Sequence, residues 1–144
     1  MKIMLPVDGS EGALAAVHHA IGWVRDGLRA DFLLANVQEP ASLYEVVTAH
    51  DAGVIEEVSA GAAAHALEPA AALLRAAGIA FETEIAHGDP AHRLVELAEQ
   101  FGCQAIVIGA RGQDFFERGS LGSVAEFVLG HAPGAVTVVK RMAA

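Results

Sequence analysis

The chain is short of the residues that mark several protein classes. Its 144 residues include one cysteine, Cys103. That excludes a disulfide framework and a cysteine-based metal cluster, fits a reduced, cytoplasmic compartment, and leaves Cys103 as a small buried apolar residue. Positive charge is scarce: 9 Lys and Arg stand against 18 Asp and Glu, a formal net charge of −9 at pH 7. A chain this acidic offers no broad surface to DNA, RNA or an anionic membrane. No apolar run reaches the roughly 18–20 residues that a membrane-spanning helix needs. The opening run from Met1 to Leu5 breaks at Pro6, too soon for a signal peptide.

Apolar residues, by contrast, are plentiful. They make up 53% of the chain against 19% charged, enough to bury a core in one domain spanning residues 1–144. Alanine accounts for 30 of the 144 residues, a composition suited to helices packed closely on a sheet, because alanine favours the helix and fills little space.

Strand and helix patterns alternate along the chain. Ile3 to Val7 is a short apolar run ended by the turn residues Asp8-Gly9-Ser10. Leu14, Val17, Ile21, Val24 and Leu28 then recur as one helix face, with Trp23 at its margin. Phe32 to Val37 is a second buried-type strand, followed by a loop over 39–50. Ala52 to Ala77 is a helical pattern closed by Gly78, with Pro69 inside it predicted to kink or split it. Ile79, Phe81, Thr83 and Ile85 alternate with more polar neighbours, which predicts an edge strand. Asp89-Pro90 is an N-cap with proline at the first helical position, and Leu94, Leu97, Ala98 and Phe101 form the face of the helix that follows. Ala105 to Ile108 runs into Gly109. A helix with Val124, Phe127 and Val128 inward starts at Ser123, and Ala135 to Val139 is the last strand.

Near-continuous apolar strands alternating with helices predict an α/β fold: an open five-stranded parallel sheet covered on both faces. A flavodoxin-like or Rossmann-like order, 3-2-1-4-5, puts the polar-striped third strand at an edge. The ends of strands one and four then meet at the switch point where such sheets bind ligands.

Those two strand ends carry the chemistry. After Ile108 the chain reads Gly109-x2-Gly112-x9-Gly122-Ser123. Glycines there let backbone amides approach phosphate oxygens, and a helix N-terminus adds orphan N–H groups and the positive end of its dipole. Arg111 and Arg118 bring cations to the same loop, while Asp114 and Glu117 bring carboxylates. Neither a Walker A loop nor a Gly-x-Gly-x-x-Gly run is present. On spacing alone, a plain turn and a phosphate loop are equally good readings.

The opening Ile3 to Ser10, the Gly88-Asp89-Pro90-Ala91 helix start, the full glycine motif and the final Pro133 to Val139 together resemble the universal stress protein family, in particular its ATP-binding branch. The resemblance covers essentially the whole chain. It implies a nucleotide-responsive homodimer with a role in stress resistance. Pro6, Val7 and Val37 would line the base pocket, and Asp8 would sit near the ribose or adenine. Ile108, Gly109, Arg111, Gly112, Arg118, Gly122, Ser123 and Val124 would surround the triphosphate of ATP, with Mg2+ or Mn2+ beside it. A partner would pair through Val136, Thr137, Val138 and Val139.

Plainer readings stand beside these. Asp8 can cap the first helix or its turn, and Ser123 with Glu126 forms a Ser-x-x-Glu capping box that needs no ligand. The acidic pair Glu56-Glu57 is a solvated face. Of seven histidines, His18 and His19 are adjacent, so they point about 100° apart on a helix, and His87 and His92 lack further ligands; no histidine metal site is expected. A scaffold that binds no nucleotide is one alternative function, and a slow ATP hydrolase another, although no general base, Walker-type lysine or nucleophile is evident. A response-regulator receiver is excluded: Asp8 has no acidic neighbour before Glu11, and strand three leads to His87-Gly88.

Overall fold

A computed structural model describes residues 1–39, 52–110 and 121–140, and of residues 52–59 only the helical backbone. Within these limits the chain runs β1 Lys2–Pro6, α1 Glu11–Arg25, β2 Asp31–Gln38, α2 Ala52–Ala76, β3 Phe81–His87, α3 Pro90–Gln100, β4 Ala105–Gly109, α4 Ser123–His131 and β5 Ala135–Val139. The strands form one parallel sheet in the order β3-β2-β1-β4-β5, as the hydrophobic pattern predicts.

Both sheet faces are apolar, and each has its own core. Ile3, Leu5, Phe32, Leu34 and Val107 point to α1 and α2, where Val17, Ile21, Leu67 and Leu74 meet them. Met4, Leu33, Ile106 and Ile108 point the other way, to Leu94 and Leu97 of α3 and Val128 of α4. Fully burying one such side chain contributes roughly 1.5–3 kcal/mol, so two continuous cores define the layers.

Four expectations are corrected. The buried face of α1 is built from Gly12, Ala13, Ala16, Val17, Ala20 and Ile21, while Leu14, Val24 and Leu28 are only half-buried at its margin. Small residues face the sheet because they let the helix approach it. Pro69 does not split α2, which continues from Ala52 to Ala76; proline has no N–H to donate to the His65 carbonyl one turn earlier, and the buried Ala66, Leu67, Ala70 and Leu74 around it keep the helix on the sheet. The third strand begins at Phe81, because Gly78, at φ +71°, closes α2 with Gly78 N donating to Arg75 O (3.0 Å) and Ile79 N to Leu74 O (3.0 Å). On α4 the buried residues are Ala125 and Val128. Phe127 lies between the rings of His92 and His131, with centroids 4.3 and 4.0 Å away.

Cys103 is buried, and Trp23 packs at the margin of the first core. Among the described residues no helix is long and apolar enough to cross a membrane.

Candidate functional site

Strand β1 ends at Pro6 for a physical reason. Proline cannot donate to a ladder, and pairing between β1 and β4 is confined to Ile3↔Ala105 and Met4↔Ile106. On the other side, β2 stays paired to β1 as far as Ala35 and to β3 as far as Gln38. The strands therefore part at their C-terminal ends, and a cleft of about 710 Å³ opens there. It reaches from Ala62, His65 and Ala66 on α2, across the ends of β1, β2 and β4, to Pro90 on α3 and Ser123 on α4.

Pro6, Val7, Asp8, Val37, Ile108, Gly109, Gly122, Ser123 and Val124 all line this cleft. Arg111, Gly112 and Arg118 lie outside the described residues, as do Asp114 and Glu117.

The β1–α1 turn is self-capped. Asp8 Oδ1 accepts from Ser10 N at 2.9 Å, and the buried Ser10 Oγ accepts from Ala13 N at 3.2 Å as the N-cap of α1. Gly9 takes φ +85°, and a Cβ on it would sit 3.6 Å from Ala66 Cα. The turn thus lies against α2.

Gly109 has a packing role that its place in the glycine motif does not reveal. A Cβ there would lie 2.5 Å from Gly12 O and 2.7 Å from Gly12 C. The first turn of α1 rests directly on the end of β4, and the missing Cβ of Gly109 makes the approach possible.

At α4 the capping-box expectation is corrected. Gly122, not Ser123, is the N-cap, and no side chain caps the helix. The first helical bond runs from Glu126 N to Gly122 O at 3.0 Å. The amides of Ser123, Val124 and Ala125, all on the cleft wall, therefore have no partner within the helix. A helix start of this kind can receive an anion.

Sequence reasoning missed Asn36 and Gln38. Asn36 is 2% exposed and donates from Nδ2 to Val7 O at 2.8 Å, while its Oδ1 accepts from Gln38 Nε2. A polar residue inside an otherwise apolar strand run was the available signal, since a buried amide must find partners. The described acidic groups on the wall are Asp8 and Glu39, with the His65 ring beside them. No group of three or more His, Cys, Asp or Glu that could hold a metal occurs among the described residues. On α3, Asp89 caps the helix through His92 N at 3.1 Å, and its hydrogen bonds to the His92 ring and amide hold its carboxyl below the usual value of 3.8.

A second, more open hollow of about 400 Å³ lies at the opposite end of the sheet, beside Leu28, Asp31 and Ile79. The C-terminal ends of α1 and α2 adjoin it, and these present carbonyls, not donors.

The universal stress protein family profile matches residues 1–140. The chain is 32% identical over 140 residues to universal stress protein MJ0531 of Methanocaldococcus jannaschii, covering 97% of this chain and 82% of that one. It superposes on the solved structure of hypothetical protein MJ0577 with a TM-score of 0.81 at 26% identity, covering 99% and 97% of the two chains. Two more distant structures share the fold and hold adenine nucleotides. A universal stress protein family protein from Arabidopsis thaliana has AMP bound (TM-score 0.73, 20% identity, 99% and 93% covered). A universal stress protein is in complex with cAMP (0.68, 24%, 99% and 98%).

Proposed function

The chain belongs to the universal stress protein family, and on that premise we propose that it binds ATP in the switch-point cleft and acts as a cytoplasmic, nucleotide-responsive homodimer in stress resistance. The observation that carries the proposal is the α4 start. Three residues whose amides have no helix partner, and a glycine N-cap, line a cleft of about 710 Å³, within the few hundred to about 1,000 Å³ typical of small-molecule sites.

The residues fit a nucleotide by their chemistry. Ala35, Val37 and Pro6 offer an apolar wall at the β1–β2 side, suited to a base. Gly122 leaves the amides of α4 open to phosphate oxygens. A divalent ion, Mg2+ or Mn2+, would shield the phosphates from Asp8 and Glu39, and Mg2+ commonly takes most of its ligands from phosphates and water. The dimer reading is supported by β5, a sheet edge whose Val136, Thr137, Val138 and Val139 are only half-buried. Antiparallel pairing with a second copy would give its edge groups partners.

Mass spectrometry of nucleotide co-purifying with native protein, followed by calorimetric titration with ATP, ADP and AMP with and without Mg2+, tests the proposal. Gly122 sits at φ −64°, ψ 154°, a conformation open to valine. Gly122→Val should therefore fold and lose most of the ATP affinity, because its branched side chain covers the α4 amides. Unchanged affinity in that variant would remove the phosphate role, and a parent protein that binds no nucleotide would favour a scaffold.

A further inference from the structure

We propose that the Gln38 side chain reads position 6 of the base in this cleft, presenting a fixed acceptor that selects a 6-amino purine over a 6-oxo purine. The proposal rests on the nucleotide-binding function and names the side chain that distinguishes one purine from another.

The strand register creates the opportunity. β1 ends opposite Ala35 while β2 continues to Gln38 along β3. The last three residues of β2 therefore have no strand on their β1 side, and Asn36, Val37 and Gln38 all line the cleft. Val7 stays tied to β2 beyond the end of β1 by Val7 N donating to Ala35 O at 2.8 Å and by Asn36 Nδ2 donating to Val7 O at 2.8 Å.

Those bonds set a polarity. A backbone carbonyl can only accept, so Asn36 must turn its NH2 to Val7 and its Oδ1 to the other side. Asn36 is 2% exposed and anchored, so this orientation does not reverse without leaving a buried amide unpaired. Oδ1 in turn accepts only a donor, and Gln38 Nε2 supplies it. Flipping the Gln38 carboxamide would set two oxygens against each other. Its Oε1 is thereby held as the end turned away from Asn36. An acceptor fixed on a cleft wall pairs with the exocyclic 6-amino group of adenine and opposes the 6-oxo group of guanine or hypoxanthine.

The test is a thermodynamic cycle between one side chain and one ligand group. ATP and purine riboside triphosphate, which lacks the 6-amino group, are titrated into wild type and Gln38→Met, with ITP as the 6-oxo probe. Gln38 is half-exposed at a strand end, so the variant should fold, checked by circular dichroism. Wild type should bind ATP about 3- to 10-fold more tightly than purine riboside triphosphate, the effect of one neutral hydrogen bond, and ITP more weakly still. In Gln38→Met that advantage should vanish through loss of ATP affinity alone. Equal weakening of both ligands, or an unchanged ratio, overturns the role of Gln38 while leaving nucleotide binding in place. Wild type that binds none of the three nucleotides overturns the nucleotide function and this inference with it.

Discussion

Gly109→Ala separates the packing role of the glycine motif from its proposed ligand role. The added Cβ would lie 2.5 Å from Gly12 O, 2.7 Å from Gly12 C and 3.2 Å from Ala13 N, against the roughly 3.5–4.0 Å at which carbon contacts are favourable. All three neighbours are backbone, so no side chain can rotate away. The first turn of α1 would have to withdraw by about 1 Å. That turn is held by the Ser10 cap and by the buried Ala13 and Ala16. Overpacking of this kind typically costs about 1–3 kcal/mol, and rigid backbone on every side puts Gly109 near the top of that range. For a chain of this length, about 2–4 °C of Tm is lost per kcal/mol, so Gly109→Ala should melt about 5–10 °C below wild type. Gly22→Ala is the matched control on α1, because a Cβ there meets nothing within 4 Å. It should raise stability, by up to about 1 kcal/mol, through helix propensity. Thermal unfolding of both variants without added nucleotide decides the matter. If Gly109→Ala melts within about 2 °C of wild type, the close approach of α1 to β4 does not constrain this position.

Three further outcomes are expected. Ser10→Ala removes the N-cap that accepts from Ala13 N and should cost about 1 kcal/mol, read as a drop of a few degrees in Tm. Burial pushes the Cys103 thiol above its ordinary value of 9.0, so at pH 8 it should react slowly with a thiol reagent in the native protein and rapidly in denaturant; fast native labelling would contradict its burial. The lowered carboxyl of Asp89 contributes stability that is present above the unfolded value near 3.8 and lost as pH falls through the lower folded value. Asp89→Asn keeps a cap oxygen but loses that charge, so its Tm deficit should shrink on acidification below pH 3.8, and a constant deficit would deny the carboxylate this part.

Strand order was legible because buried strands and an edge strand leave different patterns. Ile3 to Val7 and Phe32 to Ala35 are apolar on both faces, while the third strand alternates with Glu82 and Glu84. Asp89-Pro90 and Gly78 marked helix ends through backbone chemistry that operates within a few residues. The buried face of α1 was less legible, because leucine and valine dominate any apolar periodicity while the sheet selects small residues. Ser123 was misjudged as a cap because the helix start depends on where the chain arrives from, here Gly122 N donating to Ala110 O at 2.7 Å. Asn36 was hidden for a similar reason. Its partner Val7 is 29 residues away in the chain, and only the assembled sheet brings them together.

The surplus of negative charge then has a specific bearing on the cleft. A net charge of −9 governs encounters with long polyanions across a broad surface, and the described wall adds Asp8 and Glu39 to that field. The donors that the α4 start adds to the same wall are neutral backbone amides. Oriented amides attract an anion at close range without adding charge to the far field. On the proposed function, an acidic chain built this way would resist nucleic acid while retaining a place for one compact phosphate group. Selectivity between polymer and small ligand would then follow from where the donors are, with the overall charge balance supporting it instead of opposing it.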